Sequence, residues 1–316
     1  MASLTAEQNY DHLKEVTQFD ESKLGAKGLL DSGITTIPRI FHQPPENLPG
    51  PQPKTRPQLT VPVIDLSQDR SKVVEEIRRC ASTLGFFQIV NHSIPVTLIG
   101  SVLNDTKKFY EQSTEYKMQF YGRETENGAT YATNLDLYQS KAASWRDTIE
   151  VWMSPKEPKW EAVPEMCWTA LKDWDKAVVG LAEELMAILC EGLGNEIGGL
   201  LQAKCGEDWV VVEAVPGAVV INIGDMLQMM SNDAYRSVEH RVLANNAEVA
   251  PLSFAVFFEP SNREGLYGPF PELISAEKPV IYHKFMFEDF CRRFLSKELD
   301  GKSKLDYYRI DNTNKA

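Results

Sequence analysis

This sequence holds few of the residues from which metal and redox centres are usually built. Its five cysteines, Cys80, Cys167, Cys190, Cys205 and Cys291, are odd in number and show no CxxC spacing. That argues against a structural zinc site and a disulfide frame, and for free thiols in a reducing compartment. Long apolar runs are missing too. The longest are interrupted within about ten residues, whereas a bilayer-crossing helix needs about 20. The first forty residues are mixed polar, with no secretory apolar region after Met1, so a cytoplasmic location is expected. No basic stripe is present: 33 Lys and Arg stand against 45 Asp and Glu, a net charge of −12, which excludes nucleic acid as a partner. The mild cluster between Lys297 and Lys304 reads as a solvated helix end. Gly224-Asp225 lacks the glycine spacing of a phosphate loop.

What is present is an ordinary globular composition, 43% apolar and 25% charged, with length enough for a core that needs no staples. Residues 1–60 open with charged helical patches and end in a proline-rich, extended lead-in through Gln43-Pro44-Pro45, Leu48-Pro49-Gly50-Pro51 and Arg56-Pro57. A second region, 61–168, begins with the strand Val61-Pro62-Val63-Ile64-Asp65-Leu66. Val73, Val74, Ile77, Cys80, Ala81 and Leu84 then share one helical face, and Gly85 ends that helix. A strand, 86–90, follows. Ser93 is expected to cap a long helix entered near Pro95 and running to about Met118. Residues 121–168 read as loop and strand.

The third region, 169–316, starts with a helix on Leu171, Trp174, Val178, Leu181, Leu185 and Ile188, stopped by Gly192-Leu193-Gly194. The period then changes to that of strands. Trp209–Glu213 and Ala218–Ile223 flank the turn Val215-Pro216-Gly217, and two more strands are expected near 240–245 and 252–259. Gly198 and Gly199 read as a hairpin turn. Closely spaced antiparallel candidates signal a sandwich or jelly roll. Phe287, Phe290, Phe294 and Leu295 form the apolar face of a last helix.

Four stretches carry a family likeness: 61–66; Gly85-Phe86-Phe87-Gln88-Ile89-Val90-Asn91-His92; Ser144-Trp145-Arg146-Asp147; and Pro216–Asp225 running on through Ser231-Asn232-Asp233 to Ser237-Val238-Glu239-His240-Arg241-Val242. On these stretches the chain resembles the plant 2-oxoglutarate- and iron(II)-dependent dioxygenases, in the subgroup of 1-aminocyclopropane-1-carboxylate oxidase homologues, and the resemblance extends over nearly the whole chain, including Leu266-Tyr267-Gly268-Pro269 and the final helix. The resemblance implies a mainly β fold with flanking helices, a double-stranded β-helix (jelly roll) behind an N-terminal α/β region. It implies Fe(II) and 2-oxoglutarate as cofactors and a small plant metabolite as the substrate, hydroxylated or desaturated.

Family members hold iron by a His-x-Asp pair on an early strand and a distal histidine on a later one, leaving open positions for co-substrate and oxygen. An Arg-x-Ser motif binds the far carboxylate of 2-oxoglutarate through the bidentate arginine fork. By that likeness His240 is the distal histidine and Ser253 the serine contacting 2-oxoglutarate. The arginine position is Pro251, and no His-x-Asp pair occurs anywhere in the chain. Among the other histidines, His12 and His42 lie in the lead-in, His92 reads as a polar or capping residue, and His283 stands before the last helix. Glu207 and Asp208 read as solvated, Asp225 as structural, Arg146 as salt-bridged to Asp147 or another carboxylate, and Phe257 and Phe258 as core and pocket wall.

Fold and chemistry are thus expected to fall short in the same place. The segment that would carry His-x-Asp is expected to be dropped near Gly194–Gly198, leaving an incomplete roll that exposes Val211, Val219 and Ile221, with activity impaired or lost. The alternative is a non-catalytic family member, or a truncated splice or gene-model product, that acts, if at all, by binding, with an intact paralogue as the partner.

Overall fold

The computed structural model describes residues 10–45, 61–134, 136–154, 156–192, 201–205, 208–211, 215–242, 252–296 and 305–310. The chain opens with α1 (His12–Ser22) and α2 (Gly25–Asp31). Asp11 caps α1 by accepting from the Lys14 amide at 3.1 Å, the role short polar side chains play at an N-cap. Next come β1 (Val63–Asp65), α3 (Arg70–Thr83) and β2 (Phe86–Val90), a unit that buries Val73, Ile77, Cys80 and Ala81 against the sheet. Gly85 joins α3 to β2 at φ +75°, and a Cβ there would sit 2.2 Å from the Arg236 carbonyl oxygen, so only glycine fits.

The long helix expected from 95 to 118 is two helices, α4 (Val96–Tyr110) and α5 (Thr114–Met118). Pro95, not Ser93, occupies the N-cap of α4. The break falls at Glu111–Ser113, where the Ser113 hydroxyl accepts from the Tyr116 amide and starts the new helix. A serine mid-pattern competes with the helix backbone in this way. Then follow β3 (Ala129–Thr133), β4 (Asp147–Val151) and α6 (Trp168–Gly192). Helix α6 lays Val178, Leu181, Leu185 and Ile188 on the α3–β2 layer, at the spacing seen in the sequence.

The remaining elements are β5 (Leu201–Cys205), β6 (Asp208–Val211), β7 (Val219–Asn222), α7 (Asp225–Met230), β8 (His240–Val242), β9 (Leu266–Tyr267), β10 (Phe285–Met286) and α8 (Phe287–Ser296). The sheets among the described residues are small, in the orders β1-β2-β7, β6-β5-β8, β3-β4 and β10-β9. Strands β6 and β7 flank Val215-Pro216-Gly217 but belong to different sheets. Strand β7 pairs antiparallel with β2, Phe86 opposite Asn222 and Ile89 opposite Val219. Within β7, Val219 and Ile221 are half-buried while Val220 is exposed.

The strand expected at 252–259 is absent. Residues 252–259 form no ladder and no backbone hydrogen bond among the described residues. Strand propensity is realised only where a neighbouring strand supplies donors and acceptors, and among the described residues no strand pairs with this segment. Among the described residues no helix is long and apolar enough to cross a membrane.

Candidate metal centre

His240 opens β8, directly opposite Ala203 of β5. The loop before it is tightly anchored. The Tyr235 hydroxyl donates to the Leu189 carbonyl at the end of α6. The Arg236 amide donates to Ala81, and the Ser237 amide to the Gln228 side chain at 2.5 Å. These bonds place His240 beside β2, where its ring meets the fully buried ring of Phe86 edge-on. The imidazole itself is solvent-exposed. Its Nδ1 lies 3.2 Å from the Val238 carbonyl, an acceptor, so that nitrogen donates and Nε2 is left out of the bond.

Among the described residues no group of three or more His, Cys, Asp or Glu side chains is placed to hold an ion. Ser253 is exposed, in the unpaired segment after β8. His92, whose Nε2 donates to the Gly217 carbonyl at 2.9 Å, fastens the turn before β7 to the end of β2. Asp225 begins α7, in the first turn where a carboxylate favours the helix dipole. Pro251, Glu207 and the Gly198-Gly199 turn lie outside the described residues. Among the described residues, an exposed imidazole outside any such group does not fit the two-histidine, one-carboxylate set an iron(II) centre requires.

Other polar clusters are well built, and they are structural. The expected pairing of Arg146 with Asp147 gives way to a different bond. The Asp147 carboxylate accepts the amides of Ala26 at 2.7 Å and Lys27 at 2.9 Å and the Thr133 hydroxyl, pinning α2 to the β3–β4 hairpin. Backbone amides at a helix start are free donors, so a carboxylate from a distant strand end takes them. Sequence spacing of about 120 residues concealed this contact. The Asp20 carboxylate is gathered by Arg123, Tyr121 and Tyr138. Burial alone would raise its pKa, but those donors hold it below the usual carboxylate value.

Phe257 and Phe258, expected in the core and pocket wall, are 81% and 59% exposed. Among the described residues no strand pairs with their segment.

Comparison with known proteins agrees with the fold. Residues 61–169 match the family model described as the non-haem dioxygenase in morphine synthesis N-terminal region, and residues 185–260 match the 2OG-Fe(II) oxygenase superfamily model. The chain therefore belongs to the 2-oxoglutarate- and iron(II)-dependent dioxygenase family. Within it, the chain groups with the 1-aminocyclopropane-1-carboxylate oxidase homologues. It is 35% identical to homolog 3 of Arabidopsis thaliana over 360 residues, covering 95% of this chain and 98% of the relative. It is 36% identical to the homolog of Solanum lycopersicum over 368 residues, covering 98% and 100%. Among solved structures it resembles JOX2 in complex with 2OG, Fe and JA, with a TM-score of 0.67 at 21% identity over 90% of this chain and 97% of that one. It also resembles the rice dioxygenase for auxin oxidation, with a TM-score of 0.57 at 17% identity over 79% and 100%. The likeness places the fold among the jelly-roll oxygenases.

Proposed function

We propose that this chain descends from dioxygenases that oxidise a small plant metabolite with 2-oxoglutarate and oxygen, and that it does not itself turn that reaction over. One observation carries the reading. His240, the residue matching the distal iron ligand, is exposed and belongs to no group of three or more His, Cys, Asp or Glu side chains placed to hold an ion among the described residues. A lone imidazole binds a divalent ion weakly, because affinity comes from several deprotonated ligands converging on one point. Ser253, the residue matching the 2-oxoglutarate contact, is exposed and has Pro251 two positions before it in place of the arginine fork.

Length supports an internal loss. The match to the Arabidopsis relative runs 360 residues against the 316 of this chain, so at least 44 aligned positions have no counterpart here. A jelly roll takes about eight strands, and dropping a block of that size near Gly194–Gly198 removes strands and ligands together. Anaerobic mixing with iron(II) and 2-oxoglutarate tests the reading: no visible charge-transfer band should form, and no succinate after oxygen is admitted. A band with stoichiometric succinate overturns it.

A second reading is favoured by the exposed rings of Phe257 and Phe258: a non-catalytic family member that acts by binding, with an intact paralogue as partner. A pull-down against full-length relatives that recovers none counts against that partner. Reading the transcript across the codons for Gly194 to Gly198 tests whether a spliced-out block separates this chain from an ordinary enzyme.

A further inference from the structure

We infer that residues Ser253–Glu259 are a self-association strand, through which two copies of this chain pair antiparallel about a two-fold axis. The segment reads Ser-Phe-Ala-Val-Phe-Phe-Glu, bounded by Pro251 and Pro260, which lack the N–H a ladder needs. It is rich in β-branched and aromatic residues and carries no charge before Glu259, the composition of a strand that pairs readily. Its backbone groups have no hydrogen-bond partner among the described residues. Phe257 is 81% exposed and Phe258 59%, while Phe254 at 37% and Val256 at 39% keep part of their surface open, the Phe254 ring meeting Trp174 of α6 edge-on at 5.3 Å. Such an edge is a template for another strand.

An identical strand fits it best. In an antiparallel pair with exact two-fold symmetry, one residue faces its own copy, and centring on Val256 pairs the seven residues 253–259 without a proline. Phe254 then faces Phe258 of the other copy, a favourable aromatic cross-strand pair. Glu259 faces Ser253, so no two acids oppose each other, and Glu259 is already neutralised by Arg263 at 2.5 Å. The uncharged strip offers nothing to a partner recognised by charge. Area decides how tight the pair is. The three rings and Val256 expose roughly 400 Å² per copy, taking a phenylalanine as about 200 Å². Two copies hide roughly 800 Å², below the ~1,200 Å² of a stable specific interface. The dimer is therefore weak and concentration-dependent, and added salt strengthens it by screening the −12 charge on each chain.

Sedimentation velocity on the full chain, from about 1 to about 200 µM, spans the range where such a weak dimer forms. The mass should rise from monomer to dimer and stop there. Phe257→Asp should remain monomeric with unchanged circular dichroism, while Met186→Asp, at an exposed position on α6, should behave as the unsubstituted chain. Amides of 253–259 should exchange more slowly at the high concentration than at the low. A monomer throughout overturns the inference, as does a dimer that survives Phe257→Asp. Open-ended growth past the dimer overturns it as well, and so does preferential pairing with an added full-length relative.

Discussion

The ring of Phe86, fully buried on β2, meets the imidazole of His240 edge-on at 5.4 Å and an interplanar angle of 77°. One flank of the histidine is thus occupied by hydrocarbon, and its Nδ1 faces the Val238 carbonyl. Only Nε2 is offered outward. A ligand that binds the folded state alone stabilises by RT ln(1 + [L]/Kd), so a single-imidazole site with Kd near 1 mM adds less than about 0.1 kcal/mol at 0.1 mM metal. Thermal melts with 0.1 mM iron(II), run anaerobically, should coincide with metal-free melts within about 0.5 °C. His240→Ala should abolish no metal response, because there is none to abolish. A rise of several degrees, lost in His240→Ala, would show that a ligand set assembles around this residue.

Asp147 governs the attachment of the N-terminal helices. Its carboxylate takes two amides of α2 and the Thr133 hydroxyl, and Gly25 at φ +69° lets the chain approach so closely that a Cβ would stand 2.8 Å from the carboxylate oxygens. Asp147→Ala strands three donors at a half-buried site and should cost about 2–4 kcal/mol, charge-assisted bonds being worth more than neutral ones. Gly25→Ala should cost at least about 1 kcal/mol from the positive φ alone. Urea melts measure both. In the double variant the losses should be less than additive, since both loosen the same junction.

The acid limb of the stability curve depends on Asp233. It accepts from the Tyr282 hydroxyl, from Gln228 at 2.8 Å and from Arg309 at 3.0 Å, tying the segment after α8 to the end of α7. Burial would raise its pKa, yet these donors together hold it below the ordinary value of 3.8. The folded carboxyl therefore ionises more readily than the unfolded one. Its contribution is complete above the unfolded value and is lost as pH falls through the folded value. Melting temperature should drop as pH is lowered below about 4, and Asp233→Asn should flatten part of that slope while costing about 2 kcal/mol at neutral pH. An unchanged slope in Asp233→Asn would remove Asp233 from the acid response.

Much of this fold is legible in the sequence because it is written locally. The three-and-four spacing of Val178, Leu181, Leu185 and Ile188 in α6 and the short apolar run of β2 each report their own burial. The division of the 95–118 helix at Ser113 was not legible, since the apolar spacing continues across the break and only the serine marks it. Pairing was harder still. Strand β7 looks like the hairpin partner of β6, but its register lies with β2, a choice made by contacts some 130 residues apart in sequence. At the candidate site the reverse holds. The absence of His-x-Asp and the proline at 251 are plain from the sequence, whereas the exposure of Phe257 depends on tertiary contacts that local spacing does not report.

Lys117 offers the sharpest test of a buried charge in this chain. Only 1% exposed, it donates to the Tyr110 carbonyl at 2.9 Å and lies 3.9 Å from Asp31. Burial lowers its pKa, and the pull of Asp31 restores only part of the loss. A distant, half-exposed carboxylate does not offset the desolvation of an ammonium, so a hydrophobic chain of similar length should serve as well. Lys117→Met is expected to match or exceed the unsubstituted chain in stability, whereas Lys117→Ala should lose about 2–4 kcal/mol to the cavity it leaves. The penalty on the charged form is complete below the folded pKa and fades as pH rises toward the unfolded value. The advantage of Lys117→Met should therefore shrink at alkaline pH. Urea melts at neutral pH and near pH 10 measure this directly, and a Lys117→Met variant as unstable as Lys117→Ala would mean that the ammonium itself holds the α4–α5 junction together.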